Sequence, residues 1–184
     1  SIPTVSAKEE RDGRENAFRA ELKAVAAKTY KYYQDHTDPE TGLTFDETRY
    51  TDEDKVNAAH TSPTNIGMYM MSTISAQEMG IISKKDAVNR IQVTLNTLES
   101  LDKWNGLFYN WYYTEDGSLK KDWGQFISQV DNGWLSAGLI VAGQAYEELN
   151  AQTSELVDNM DYSTLYDPEV GQFRGGYDAV QEKL

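Results

Sequence analysis

Apolar residues recur along this chain in two ways, and the contrast between them predicts most of its architecture. From Lys8 to His36, Phe18, Leu22, Val25, Thr29 and Tyr33 return at steps of three and four among charged neighbours, which predicts an amphipathic helix with one buried face. From Asn65 to Gly80, Ile66, Met68, Tyr69, Met70, Met71, Ile74, Ala76 and Met79 point in nearly every direction around a helix. Such a helix belongs inside. Ser83 is read as the N-cap of a third helix reaching Trp104, with Val88, Ile91, Leu95, Leu98 and Leu101 on one stripe and Lys84, Asp86, Arg90 and Glu99 elsewhere. A fourth, Asn132 to Leu149, is again apolar nearly all round, through Trp134, Leu135, Leu139, Ile140, Val141 and Tyr146. A weaker fifth spans Ser154 to Tyr162. Inner and outer helices thus alternate.

A repeat runs beneath this alternation. "DPETGLTF", "DKWNGLFY" and "DPEVGQFR" each set a glycine shortly before a phenylalanine, and Gly42, Gly106 and Gly171 recur with a period of about 65 residues, enough for two helices. The entrances to the two inner helices, Thr64-Asn65 and Asp131-Asn132, keep nearly the same spacing. Common solenoid repeats are shorter, about 33 to 47 residues, so a closed ring of helical hairpins is the better template. The expected fold is all-α: an α/α toroid, about half of an (α/α)6 barrel, with short β-hairpins in the loops. A six-hairpin ring at this period needs about 390 residues. The 184 residues are read as a single partial domain, 1–184, with a leading helix at 1–36 and helical-hairpin repeats at 37–104 and 105–178. A missing C-terminal half or a second copy of the chain is expected to cover the open edge.

Composition narrows the chemistry. Thirty acidic against 17 basic residues give a net charge of -13, which makes nucleic acid and anionic membranes poor partners. No stretch approaches the roughly 20 apolar residues of a membrane span. With no cysteine, and with His36 and His60 the only histidines, there is little material for a metal site or a Ser/His/Asp triad. No metal is expected, and carboxylates are the plentiful catalytic groups. The start at Ser1 is read as a processed or trimmed terminus, a removed secretory signal being one explanation.

Two long connections, Thr37 to Thr64 and Asn105 to Val130, enter the inner helices at one end of the ring, and long loops in compact domains often carry function. Asp131 and Asn132 stand where an inner helix begins: they cap it, direct a carboxylate into a cleft, or do both. Thr64 and Asn65 hold the corresponding place in the preceding repeat. Asp46, Glu47 and Arg49 form either a solvated loop or a set of groups for sugar hydroxyls. In "WNGLFYNWYY", read as a strand, Tyr109, Trp111 and Tyr113 share one face and Phe108 and Tyr112 the other. One face packs in the core, and the other offers flat rings on which a pyranose can stack.

The motifs "TSPTNIG", "FYNWY", "VDNGWL" and "LYDPE" followed by "GQFRGGYD", in that order over His60 to Asp178, resemble the opening half of the glucoamylase-like (α/α)6-barrel domain. That family takes in bacterial glucoamylases, endo-β-1,2-glucanases and the similar region of cyclic β-1,2-glucan synthases. The resemblance implies a cleft that handles glucans with acidic residues, no cofactor, and an extracellular or periplasmic location. By position it assigns Thr61, Ser62, Thr64 and Asn65 to the segment entering an inner helix at the cleft. Tyr109, Asn110, Trp111 and Tyr112 fall on the aromatic loop, and Asp131, followed by Asn132, is the candidate acid or cleft carboxylate. Relatives continue past the Gly-Tyr segment with further acidic residues. Three functions follow: a glycoside hydrolase acting on a β-linked glucan, a non-catalytic glycan-binding or assembly module, and a helical scaffold sharing only the fold.

Overall fold

The computed structural model describes residues 7–50 and 55–183, so residues 1–6 of the expected leading segment lie outside it. Five α-helices dominate: α1 (Ala7–His36), α2 (Pro63–Glu78), α3 (Lys84–Ser100), α4 (Gln129–Ala145) and α5 (Glu147–Asp158). Between and after them lie short antiparallel pairings of two or three residues per strand. The fold is the helical-hairpin arrangement anticipated above, with α2 and α4 inside and α3 and α5 outside.

The three glycine motifs adopt one shape. Gly42, Gly106 and Gly171 all have φ between +66° and +76°, a region that side chains with a Cβ seldom enter. Each turns the chain back on itself, closing the pairings Thr37 with Thr44, Lys103–Trp104 with Leu107–Phe108, and Tyr166–Asp167 with Gln172–Phe173. In the first and third, the glycine N–H donates to the carbonyl of Asp38 (2.8 Å) or Asp167 (2.9 Å), while the same Asp carboxylate accepts from the backbone two residues on.

Helix ends follow local chemistry more closely than the apolar pattern does. Ser62, Ser83 and Ser128 are the N-caps of α2, α3 and α4, each hydroxyl accepting from the N–H three residues on, at Asn65, Asp86 and Asp131. Thr64, Asn65, Asp131 and Asn132 are therefore first-turn residues rather than caps, which corrects the expectation. Pro63 takes the first helical position, where its missing N–H costs nothing. The third helix stops at Ser100, because Lys103 and Trp104 pair as a strand with Leu107–Phe108. The fourth stops at Ala145, where extended Tyr146 (φ -133°, ψ 107°) buries its ring and donates its hydroxyl to Gln77 at 2.9 Å, and α5 starts directly after it.

Two inner helices cross at glycines. A Cβ on Gly138 would stand 2.7 Å from the backbone of Gly67, and one on Gly67 would collide with the Trp134 carbonyl. No other residue lets α2 and α4 approach so closely. Around this crossing Ile66, Met70, Leu135 and Leu139 join Ile91, Leu95 and Leu98 of α3 and Leu149 and Leu156 of α5 in one core.

Not every apolar stripe is covered. On α1, Tyr30 and His36 are buried, but Phe18, Leu22 and Val25 are exposed, so the one-sided burial expected for this helix holds only at its C-terminal end. Val130, Trp134, Ile140 and Val141 of α4 and Met68 of α2 are also exposed, so the inner helices bury part of their circumference and present the rest. An incomplete ring has this property, because no further hairpin packs there among the described residues. Within those residues no helix is long and apolar enough to cross a membrane.

Candidate functional site

Asp131 belongs to a box of the form Ser-x-x-Asp. In the equivalent box of α3, the Asp86 carboxylate folds back to its own cap and accepts from Ser83 at 2.7 Å. The carboxylate of Asp131 instead reaches across to α2, where Oδ1 accepts from the Thr64 hydroxyl at 2.6 Å. A short bond to an anion is among the stronger hydrogen bonds, and it ties the entrances of the two inner helices together. Asp131 is half-buried in the first turn of α4, where the helix dipole favours negative charge.

Next along α2, Asn65 donates its side-chain amide to Oδ1 of Asp46 at 2.8 Å. Asp46 is fixed again by its own N–H, which donates to the His60 carbonyl at 2.8 Å, and its Oδ2 lies 3.9 Å from Nε2 of His60. Burial lowers the pKa of His60, partly opposed by the charge of Asp46. Two carboxylates, Asp131 and Asp46, are thus held by adjacent residues at one helix entrance. Sequence neighbourhood did not reveal this, since Asp46 and Asp131 belong to different repeats.

The aromatic loop divides as its alternation suggested, though only in two short pieces of strand. Phe108 and Tyr112 form the core face. The Tyr112 hydroxyl donates to the Asp102 carbonyl and accepts from the N–H of Tyr109, both at 2.7 Å, and burial pushes its pKa well up. Tyr112 is therefore a structural strut and not a stacking ring, which corrects its expected place in a binding surface. Tyr109 and Trp111 are half-buried and Tyr113 is exposed. The rings of His60 and Trp111 meet edge to face, their centres 5.1 Å apart.

Three further expected contacts are internal. Asn132 is 0% exposed; its amide donates to the carbonyls of Phe108 (2.9 Å) and Ser128 (2.8 Å), and its oxygen accepts from the Phe108 N–H (2.7 Å). It joins the aromatic loop to α4 and offers no atom to a ligand. Thr61 is also fully buried, in the strand His60–Thr61 that pairs with Tyr112–Tyr113, and Ser62 is spent on its cap. The Asn110 side-chain oxygen is buried without a hydrogen-bond partner. Arg49 is exposed and paired with Glu47, in the strand Thr48–Tyr50 that pairs with Lys55–Asn57.

Trp123 was missed by the sequence reading. It closes the short 3-10 turn Lys121–Trp123, and its ring meets both His60 (4.6 Å) and Trp111 (5.2 Å) edge to face. Lys120 is only 7% exposed and sets its ammonium 4.1 Å from the centre of the Trp123 ring. The last segment braces this end: Gly176–Asp178 pairs with Phe126–Ser128, the strand leading into α4, and Tyr177 stacks on Trp104 at 4.2 Å. A hollow of about 410 Å3 among Asp38, Tyr69, Asp86 and Arg90 shares no residue with the Asp131 cluster. Among the described residues no three His, Asp or Glu side chains are grouped to hold a metal ion.

Known proteins place this arrangement in context. The fold matches an endo-β-1,2-glucanase of Chitinophaga pinensis, solved with sophorotriose and glucose, with a TM-score of 0.74 at 18% identity over 89% of this chain and 42% of that one. A β-1,2-glucanase of Parabacteroides distasonis also gives 0.74, at 19% identity over 88% of this chain and 24% of that one. The architecture is thus that of the glucoamylase-like (α/α)6 barrels, and the chain spans less than half of either solved protein. In sequence, 142 residues, 77% of this chain, are 30% identical to the cyclic β-(1,2)-glucan synthase NdvB of Rhizobium meliloti strain 1021, of which they cover 5%. Residues 24–178 match the family described as "Protein of unknown function (DUF3131)", and the chain belongs to that family.

Proposed function

We propose that this chain is the glucan-facing part of a glycoside hydrolase-like barrel that binds or acts on β-1,2-glucan or a related oligosaccharide. The observation that carries the reading is the bond between Thr64 and Asp131. It fixes a half-buried carboxylate at the paired entrances of the inner helices, with one oxygen held by protein and the other left by the described residues to a ligand. A carboxylate so placed accepts hydrogen bonds from sugar hydroxyls, and Asn65 and Asp46 extend the row of polar groups. Cleavage of a glycosidic bond needs an acid and a second carboxylate about 5 to 9.5 Å apart. Asp131 and Asp46 are the candidates within this chain. The exposed apolar faces of α4 and α2 are the surfaces through which this chain would associate, so it should run as a monomer in light scattering only at low concentration. An extracellular or periplasmic location belongs to this reading, and fractionation of the native cell tests it.

Calorimetry with sophorotriose and linear β-1,2-glucan tests the binding, and release of reducing ends by this chain and by any longer natural form tests the reaction. Asp131→Asn should weaken binding about ten-fold, the loss of one charge-assisted hydrogen bond. No binding by the unaltered chain to any glucan would refute the proposal. Binding without cleavage by the longer form would leave the second reading, a glycan-binding or assembly module.

A further inference from the structure

We infer that Trp123 is the stacking platform of a separate sugar subsite on this rim, for a neutral pyranose ring whose hydroxyls reach Asp46 and Asn65. The inference rests on the glucan reading for the identity of the sugar, but not for the geometry. Trp123 keeps 55% of its surface exposed, which for an indole is a considerable apolar area left in water. It is nonetheless held from several directions. His60 meets it at 79° and Trp111 at 87°, and the Lys120 ammonium lies over its ring. Lys120 in turn is bonded to Asp122 and carries the Tyr113 ring 5.4 Å away. Its N–H donates to the Trp111 carbonyl at 3.0 Å, so the hairpin that bears Trp111 also positions the turn that bears Trp123.

A nearly buried lysine is a costly way to support a surface ring, since its charge must leave water. The result is an exposed indole with little freedom left to lose when a flat ligand settles on it, which is the condition for tight stacking. Charge selects the ligand class. Lys120 already occupies the ring as a cation, which disfavours a second cation there, and Asp46 and Asp122 with the net charge of -13 disfavour phosphate or uronate. A neutral sugar presents an apolar C–H face to the ring and hydroxyls to the side. His60 links the parts: its ring touches Trp123 and Trp111, and its imidazole faces Asp46, whose other oxygen is held by Asn65.

The test is calorimetry and tryptophan fluorescence titration of the full chain with sophorotriose, longer linear β-1,2-glucan, and a panel of other neutral polysaccharides. Trp123→Ala should weaken binding of the longer β-1,2-glucan about ten-fold, and Trp123→Phe, which keeps a flat ring, about three-fold or less. Thermal unfolding checks that the fold survives loss of the ring's contacts with His60, Trp111 and Lys120; if Trp123→Ala unfolds, Trp123→Leu, apolar but not flat, takes its place. Binding of β-1,2-glucan that both substitutions leave unchanged overturns the subsite while the glucan reading stands. Binding confined to another neutral polysaccharide and lost in Trp123→Ala supports the subsite and overturns β-1,2-glucan as its ligand. Binding to none of them overturns both.

Discussion

Alanine at Gly133 and alanine at Gly138 should move the stability of this protein in opposite directions, although both glycines lie within α4. Replacing glycine by alanine inside a helix gains about 0.5–1 kcal/mol, because the unfolded chain has less freedom to lose. At Gly133 the new methyl would meet nothing within 4 Å, so the gain is kept. At Gly138 the methyl carbon would stand 2.7 Å from both Cα and the carbonyl oxygen of Gly67, far inside ordinary contact. Those atoms are backbone and cannot rotate aside, so the two inner helices must separate and their interface loosens. Overpacking of this kind costs about 1–3 kcal/mol, which leaves a net loss after the gain in helix propensity. For a domain of this size each kcal/mol is worth about 2–4 °C in Tm. Gly133→Ala should therefore melt about 1–4 °C higher and Gly138→Ala about 1–8 °C lower, as followed by far-ultraviolet circular dichroism at fixed pH and concentration. A Gly138→Ala protein that melts at or above the unaltered chain would refute the close crossing of α2 and α4.

Asn132→Ala strands the N–H and carbonyl of Phe108 in the core and should cost about 2–4 kcal/mol, read from the urea midpoint at constant slope. A loss below about 1 kcal/mol would instead mean that the side chain is free for a ligand. The lowered pKa of His60 means that the unfolded chain takes up this proton first as pH falls. Its contribution to stability is complete above the unfolded value of about 6.5 and is lost as pH drops through the folded value. Tm measured against pH should accordingly fall more steeply below about 6.5 in the unaltered chain than in His60→Gln, and equal slopes would refute the desolvation of His60.

Local chemistry made much of this readable in advance. The apolar stripe of α3 and the all-round apolar character of α2 and α4 sorted outer from inner helices, because burial follows period directly. The caps are written in the chain as well: Ser62-x-x-Asn65, Ser83-x-x-Asp86 and Ser128-x-x-Asp131 share one spacing, and that spacing sets Asp131 in the first turn of its helix and not at the cap. By contrast, nothing in the amphipathic pattern of α1 distinguishes a stripe that is covered from one that is not. Phe18, Leu22 and Val25 remain exposed because the element they would pack against is not supplied by the described residues.

The candidate site was legible as a set of residues and not as a set of roles. Asp131, Thr64, Asn65 and Asp46 do come together, but Tyr112 and Asn132 are consumed by the scaffold and Thr61 is buried within it. A polar residue beside a site looks the same in sequence whether its hydrogen bonds go to a ligand or to the backbone. Trp123 had no periodic partner and gave no signal, because its contacts with His60 and Trp111 join separate loops.

Sequence alone determined what depends on neighbours within a few residues: helix period, serine caps, the three left-handed glycine turns, and an excess of carboxylates. Only the tertiary structure decided which of those pieces touch. Gly67 and Gly138 bring α2 and α4 within backbone contact, and that approach places Thr64 against Asp131 and so turns the carboxylate from its own cap toward the neighbouring helix. The physical reason is range: a cap or a turn is settled within one turn of chain, whereas the direction of a side chain at the rim is set by how closely two distant helices can pack.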